Sequence, residues 1–238
     1  LKPDIVAPGT NIVSLQSQQE GATNLWGSYN KFYAYAGGTS MATPLTAGAA
    51  AVTRQYLRSI GFTDPSSALM KAVMMHTAHD MYPGQFGTGP GQEMATPRPN
   101  INEGAGRVDL DRATKISKDA LHDETVGLAT GETKQYQVTA RVGQKFIATL
   151  VYTDAPASAG AAKALVNDLD LTVTGKRLNA VHPNNLHEAD HTNNVEMISF
   201  IAPAAGTYTF TVSGYSVPKG VDDTGKQPYA LVISSTSD

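Results

Sequence analysis

The residues with the most chemical content are Gly37-Gly38-Thr39-Ser40-Met41-Ala42-Thr43-Pro44. A serine hydroxyl is a weak nucleophile until a base takes its proton, so a catalytic serine must be presented at a fixed angle. Glycines before it let the backbone pass close to a substrate. A helix after it offers free N–H groups, and the positive end of its dipole, to an oxyanion developing beside Ser40. Pro44 is expected in the first helical turn, where a missing N–H costs nothing. On physics alone the same pattern equally describes a close-packed turn in which the serine only caps the helix.

Hard oxygen donors gather further along. Asn167, Asp168 and Asp170 stand at the start of one expected strand, and Asn193, Asn194 and Glu196 flank another. If those strands are neighbours, Asp168, Asp170, Asn194 and Glu196 can hold a calcium ion, with Asp154 able to join. The alternative is that these residues shape turns. His187-Glu188-Ala189-Asp190-His191 spells the zinc-protease signature, which requires a helix of several turns. It lies between Pro183-Asn184-Asn185 and Thr192-Asn193-Asn194, inside a pattern of strands, so a solvated loop is expected there.

Two kinds of element must position these groups. From Leu1 to about Tyr35, short apolar runs alternate with Pro8, Gly9, Gly21 and Gly27, as strands and loops do. The alanine-rich stretch Ser40–Ser59 predicts a helix packed closely on several sides, with Gly61 as its stop. Asp64-Pro65-Ser66 then opens a second buried helix that runs through Ala78. Its histidine His76, and His79 beyond it, read as buried or surface residues rather than as parts of a catalytic triad. Tyr82–Gly106 reads as a surface loop, and Val108 and Leu110 as a short final element. Beyond Leu121 the period becomes two, in Tyr136-Val138-Ala140, Phe146-Ala148-Leu150-Tyr152, Leu169-Leu171-Val173, Tyr208-Phe210-Val212 and Leu231-Ile233. Short alternating runs of this kind predict a sandwich or jelly roll.

With 238 residues, 41% of them hydrophobic, the chain can bury a substantial core in two modest domains. A net charge of −3 without long runs of either sign leaves no basic field for nucleic acid or anionic membranes, so neither is expected as a partner. No stretch approaches the roughly 20 apolar residues of a membrane span. Leu1-Lys2-Pro3 carries no signal-peptide pattern, as expected of a chain that begins mid-protein. With no cysteine, disulfides and thiol chemistry are excluded.

Gly38, Thr39, Ser40, Met41, Ala42 and Pro44 match the Gly-Thr-Ser-Met-Ala-x-Pro nucleophile pattern of the subtilisin-like serine proteases, and the chain resembles that family. Lys2–Gly9 resembles the strand and turn before the serine, the helix through Ala78 the one after it, and Gly104–Ala113 the closing segment, with Ala105 where an aromatic residue is usual. Leu165–Leu171, Asn193–Glu196 and Pro203–Tyr208 resemble the β-barrel or jelly-roll domain appended to some alkaline subtilases. The resemblance implies an α/β fold over residues 1–114, the C-terminal part of a subtilisin-like parallel sheet with flanking helices, followed by an all-β sandwich or jelly-roll domain over 120–238. It implies a secreted endopeptidase of broad specificity acting on protein and peptide substrates. Ser40 would be the nucleophile, Gly38, Thr39 and Ser40 would line the oxyanion site, and calcium would be structural. In the family order of Asp, His and Ser, the acid, the base and the oxyanion Asn all precede the serine, so an upstream half of the peptidase domain is implied as a partner. The rival expectation is a non-catalytic fragment whose β-domain stabilises or binds a partner, substrate or calcium.

Overall fold

The computed structural model describes residues 1–24, 26–221 and 224–236. Strands β1 (Ile12–Leu15) and β2 (Tyr33–Ala36) pair antiparallel as a small ribbon. Helices α1 (Thr39–Ser59), α2 (Ser67–Thr77) and α3 (Leu110–Ala113) follow. Then come β3 (Leu121–Leu128), β4 (Thr133–Ala140), β5 (Lys145–Val151), β6 (Asp168–Gly175), β7 (Val195–Ile201), β8 (Gly206–Ser216) and β9 (Gln227–Thr236). These seven strands form two antiparallel sheets, in the orders β3-β9-β5-β7 and β4-β8-β6. Successive strands therefore alternate between the sheets. Tyr82–Gly106 contains no helix or strand.

The alternating residues read from the sequence face one another across the sandwich. Tyr136, Phe146, Leu150, Leu169, Leu171, Tyr208, Phe210 and Leu231 share one core. The four-stranded sheet is buried on its other face too. Residues 146–151 of β5 are buried without a break, and Val151, Val195, Met197, Ala230 and Val232 join Leu57, Leu69, Ala72, Val73 and Met75 in a second core. A sheet covered on both faces reads as a nearly continuous apolar run, and Phe146–Tyr152 is apolar but for Thr149. Three layers result: helices, the four-stranded sheet and the three-stranded sheet. Each fully buried leucine among them contributes about 1.5–3 kcal/mol.

Helix α2 starts where Ser66 accepts the Leu69 N–H at 3.0 Å, an N-cap, and Asp123 of β3 grips Ser66 through both its N–H and its hydroxyl. Its C-terminal carbonyls, Met75 and His76, accept from Arg98, which also reaches the Ala105 carbonyl. Helix α1 ends as Gly61 and Phe62 return their N–H groups to Arg58 and Leu57. The expectation that α1 is packed on several sides is not met within this chain. Its buried residues, Ala49, Thr53 and Leu57, form one stripe, while Ala47, Gly48 and Ala51 lie on an open side. The parallel sheet expected over residues 1–114 is not formed among the described residues: β1 and β2 pair antiparallel, and parallel pairing is reduced to a single isolated bridge, Val6 to Arg107.

His76 is a buried titratable residue at the helix–sheet contact. Its Nδ1 lies 3.0 Å from Thr149 Oγ1 and its Nε2 2.6 Å from Ser234 Oγ. Burial, helped by the positive charge of Arg98, lowers its pKa from the ordinary 6.5 to about 3. The unfolded chain therefore binds one more proton than the native state between those values. This stabilisation is complete above pH 6.5 and is lost as pH falls towards 3, by up to about 1.4 kcal/mol per unit. Urea unfolding at pH 7, 5 and 4 should show that loss, and His76→Gln, which hydrogen-bonds without titrating, should flatten the difference between pH 7 and 4.

Candidate functional site

Ser40 is exposed at the second position of α1, and several local constraints aim it. Val6 bridges Arg107, which bridges His79, so the chain entering the Pro8-Gly9 turn is held at Val6. The Gly9 carbonyl accepts the Gly38 N–H at 2.7 Å, coupling that turn to the start of the helix. Gly9 also lies against Gly38, and a Cβ on it would come within 2.9 Å of the Gly38 carbonyl oxygen. Gly38 itself has φ 138° and ψ 172°, a conformation open to glycine and strained for other residues. On its other side, the Trp26 ring occupies the space that a side chain on Gly37 would fill.

The N–H groups of Thr39 and Ser40 have no acceptor among the described residues, and the first turn contains no acidic residue. The positive end of a 21-residue helix is thus left open beside the hydroxyl, as anion stabilisation needs. Pro44 lies in the second turn rather than the first. It removes the N–H that would bond the Ser40 carbonyl, so the nucleophile candidate's own C=O lacks its helical donor. The Ser40 hydroxyl makes no hydrogen bond among the described residues, and His76 is engaged with Thr149 and Ser234.

A second site lies where the two sheets present their edge strands β6 and β7. Glu196 of β7 accepts the Leu171 N–H of β6 at 2.6 Å through Oε2. One donor atom from each of Asp168, Asp170 and His191 lies within 4.8 Å of the others. Of the four oxygen ligands expected from the sequence, Asp168 and Asp170 come together, Glu196 lies alongside, and Asn194 donates its amide to the Tyr152 carbonyl at 2.9 Å. Asp154 takes the N–H groups of Ala155, Val166 and Asn167. Burial pushes the Glu196 carboxyl well above the usual range despite the Leu171 N–H, and Asp170, Asp190 and Asp168 add to the rise. Burial likewise raises Asp170, against the pull of His191, with Asp168 and Asp190 pushing further.

His191 joins the cluster without having been selected with it. Its signal was the second histidine of His187-Glu188-Ala189-Asp190-His191, a segment that is not helical here, as expected. His187 and Glu188 are exposed, and Asp190 is buried, accepting from Asn184, Thr192 and Asn193. Asn184 in turn closes the open edge of β7, donating to the Val195 carbonyl and accepting the Met197 N–H.

Residues 1–109 match the model of the Subtilase family, Peptidase S8. Two curated relatives from Dictyostelium discoideum, the serine protease/ABC transporter B family proteins tagB and tagD, are 29% and 28% identical, each over 92% of this chain. The chain spans only 15% and 16% of their respective lengths. Among solved structures, Aeromonas hydrophila PliG, a periplasmic inhibitor of g-type lysozyme, is 17% identical over 44% of this chain and 76% of its own. Its TM-score of 0.25 is too low to bear on the fold.

The Gly9–Gly38 contact can be tested directly. Gly9→Ala forces the two turns apart and should cost about 1–3 kcal/mol in urea unfolding. Hydrogen exchange at the Gly38 amide should quicken more than exchange in β5, because the strain falls on the turn and not on the sandwich.

Proposed function

With residues 1–109 subtilase-like as the premise, we propose that this chain is the serine-bearing part of a secreted serine endopeptidase that hydrolyses peptide bonds in proteins through an acyl-enzyme on Ser40. The observation that carries the reading is an exposed Ser40 at a helix start whose Thr39 and Ser40 N–H groups have no acceptor among the described residues, behind Gly37 and Gly38. A histidine from the upstream part of the peptidase domain takes the Ser40 proton as Oγ attacks the scissile carbonyl, and an upstream aspartate orients that histidine. The new oxyanion is held by the Ser40 N–H, joined by an upstream asparagine. The histidine then returns its proton to the leaving amine, and water releases the acyl group by the same steps in reverse roles.

Open apolar surface supports the upstream half as the partner. Leu15, Trp26, Phe32, Leu45 and Val52 are exposed, and the small residues on the open side of α1 suit close packing against another element. The peptidase part is assigned to residues 1–114 and the β-domain to 120–238, and the strict alternation of β3–β9 between two sheets supports a jelly roll for the latter. A divalent cation at Asp168 and Asp170 fits their unpaired buried oxygens and would add stability, calcium being the ion that the resemblance suggests.

The test uses the enzyme with its upstream half in place. A serine-directed fluorophosphonate should label Ser40, located by peptide mass spectrometry. Ser40→Ala should abolish labelling and lower turnover by about 10⁶, the loss known for the subtilisin nucleophile. Labelling that survives in Ser40→Ala, or its absence from a well-folded assembled enzyme, would leave only the non-catalytic module.

A further inference from the structure

Strand β3 stops short of the end of its neighbour β9. Leu121, its first residue, stands opposite Val232, whereas β9 continues to Thr236, opposite Lys145 of β5. Before Leu121 the chain leaves the sheet in a 3₁₀ turn at Lys118–Ala120. The stretch Ile233–Thr236 is therefore paired on its β5 side alone, and alternate residues along it direct their N–H and C=O groups outward over about 13 Å of strand. Among the described residues, no backbone hydrogen bond from outside the sheet reaches it. Edges of this kind are ordinarily spoiled by charge, proline or a bulge, or are covered, as Asn184 covers β7. Ile233-Ser234-Ser235-Thr236 has no charge and no proline, and its register with β5 is unbroken.

The edge opens into a groove of about 670 Å³ between the helices and the two sheets. On one side Ile233 faces it beside Val138 and Phe146, an apolar wall continuous with the sandwich core. On the other Ser234, whose hydroxyl holds His76, faces it with Arg98, Arg112 and Lys115. A strand sends its side chains to two faces in turn, so an extended segment laid along Ile233–Thr236 meets the apolar wall and the cationic wall alternately. Lys115 is paired with Asp111 at 2.6 Å and Arg112 with Asp109 at 3.4 Å, and Asp119 is exposed. Arg98 is less exposed than either cation. It gives its donors to the carbonyls of Met75, His76 and Ala105, with no carboxylate in ion-pair reach among the described residues. Burial lowers its pKa; Asp80 and Glu103 pull the other way, and Arg112 lowers it further. A carboxylate brought into the groove offsets that excess of positive charge.

We propose that this groove binds an extended acidic peptide, added antiparallel to β9 as a strand in line with β3, with apolar side chains against Val138, Phe146 and Ile233 and acidic ones towards Arg98, Arg112 and Lys115. The site uses none of the residues around Ser40, so the proposal stands or falls apart from the endopeptidase reading.

The probe is fluorescein-labelled Val-Glu-Val-Glu-Val-Glu-amide, followed by fluorescence anisotropy on the enzyme with its upstream half in place and Ser40→Ala to keep the peptide uncut. It should bind saturably, one to one, and the same peptide with lysine for glutamate should bind at least about tenfold more weakly. Lys115→Glu should weaken binding about threefold or more, and Lys176→Glu, the same charge change at an exposed position outside the groove, should not. Of two probes, one N-methylated at every valine and one at every glutamate, one should lose binding and the other keep it, because only alternate amides face β9. Equal behaviour of those two probes, binding indifferent to Lys115→Glu, or no binding by the folded enzyme would each overturn the proposal. Sedimentation showing a dimer that the probe dissociates would give the edge to a second copy of the chain and overturn it as well. The N-methylated pair decides the matter on the unsubstituted groove even if Lys115→Glu does not fold.

Discussion

Helix α2 lies on the outer face of the four-stranded sheet, and both halves of the chain are positioned from that contact. Leu69, Ala72, Val73 and Met75 meet Val151, Val195, Met197, Ala230 and Val232, so β5 and β9 are dry on both faces. Such an interface tolerates few polar groups. His76 is admitted because Thr149 and Ser234 occupy both its ring nitrogens while it stays neutral. Arg98 closes the same contact by binding the last carbonyls of α2, and Asp123 holds its first residue, so both helix ends are tied down.

From that anchor the restraints pass outward to Ser40. Helix α1 packs on α2 by one stripe, and its N-terminus is steered by the Gly9–Gly38 hydrogen bond. The Gly9 turn is held in its turn through Val6, Arg107 and His79, the last just beyond α2. The serine is therefore placed by backbone hydrogen bonds and glycine contacts, which leave its hydroxyl and the helix-start N–H groups open to other molecules.

At the far side of the sandwich the constraint is different. Two sheets that are not closed into a barrel must each end in an edge strand, and here β6 and β7 end side by side. Glu196 joins them through the Leu171 N–H, and the loop at Asn184 covers the outer edge of β7. Joining edges with carboxylates concentrates negative charge in a buried place, which raises the pKa of Asp170 and Glu196 and leaves acceptors without donors.

Local pattern alone determined the serine turn, both long helices, the inward residues of the strands and the Gly61 stop, because each depends on spacing within a few residues. The absence of a helix at His187–His191 was legible for the same reason, in the turn residues that flank it. Tertiary structure decided the rest. Phe146–Tyr152 was apolar but for Thr149, yet only the docking of α2 made Ile147, Thr149 and Val151 a second buried face. The open side of α1 could not be foreseen from alanine content, since small residues state how closely a partner can approach and not whether one is present. The oxygen cluster was half legible. Asp168 and Asp170 share a strand face by local spacing, but pairing them with His191 and turning Asn194 to Tyr152 required the two sheet edges to meet, a contact between residues more than twenty apart that no local pattern encodes.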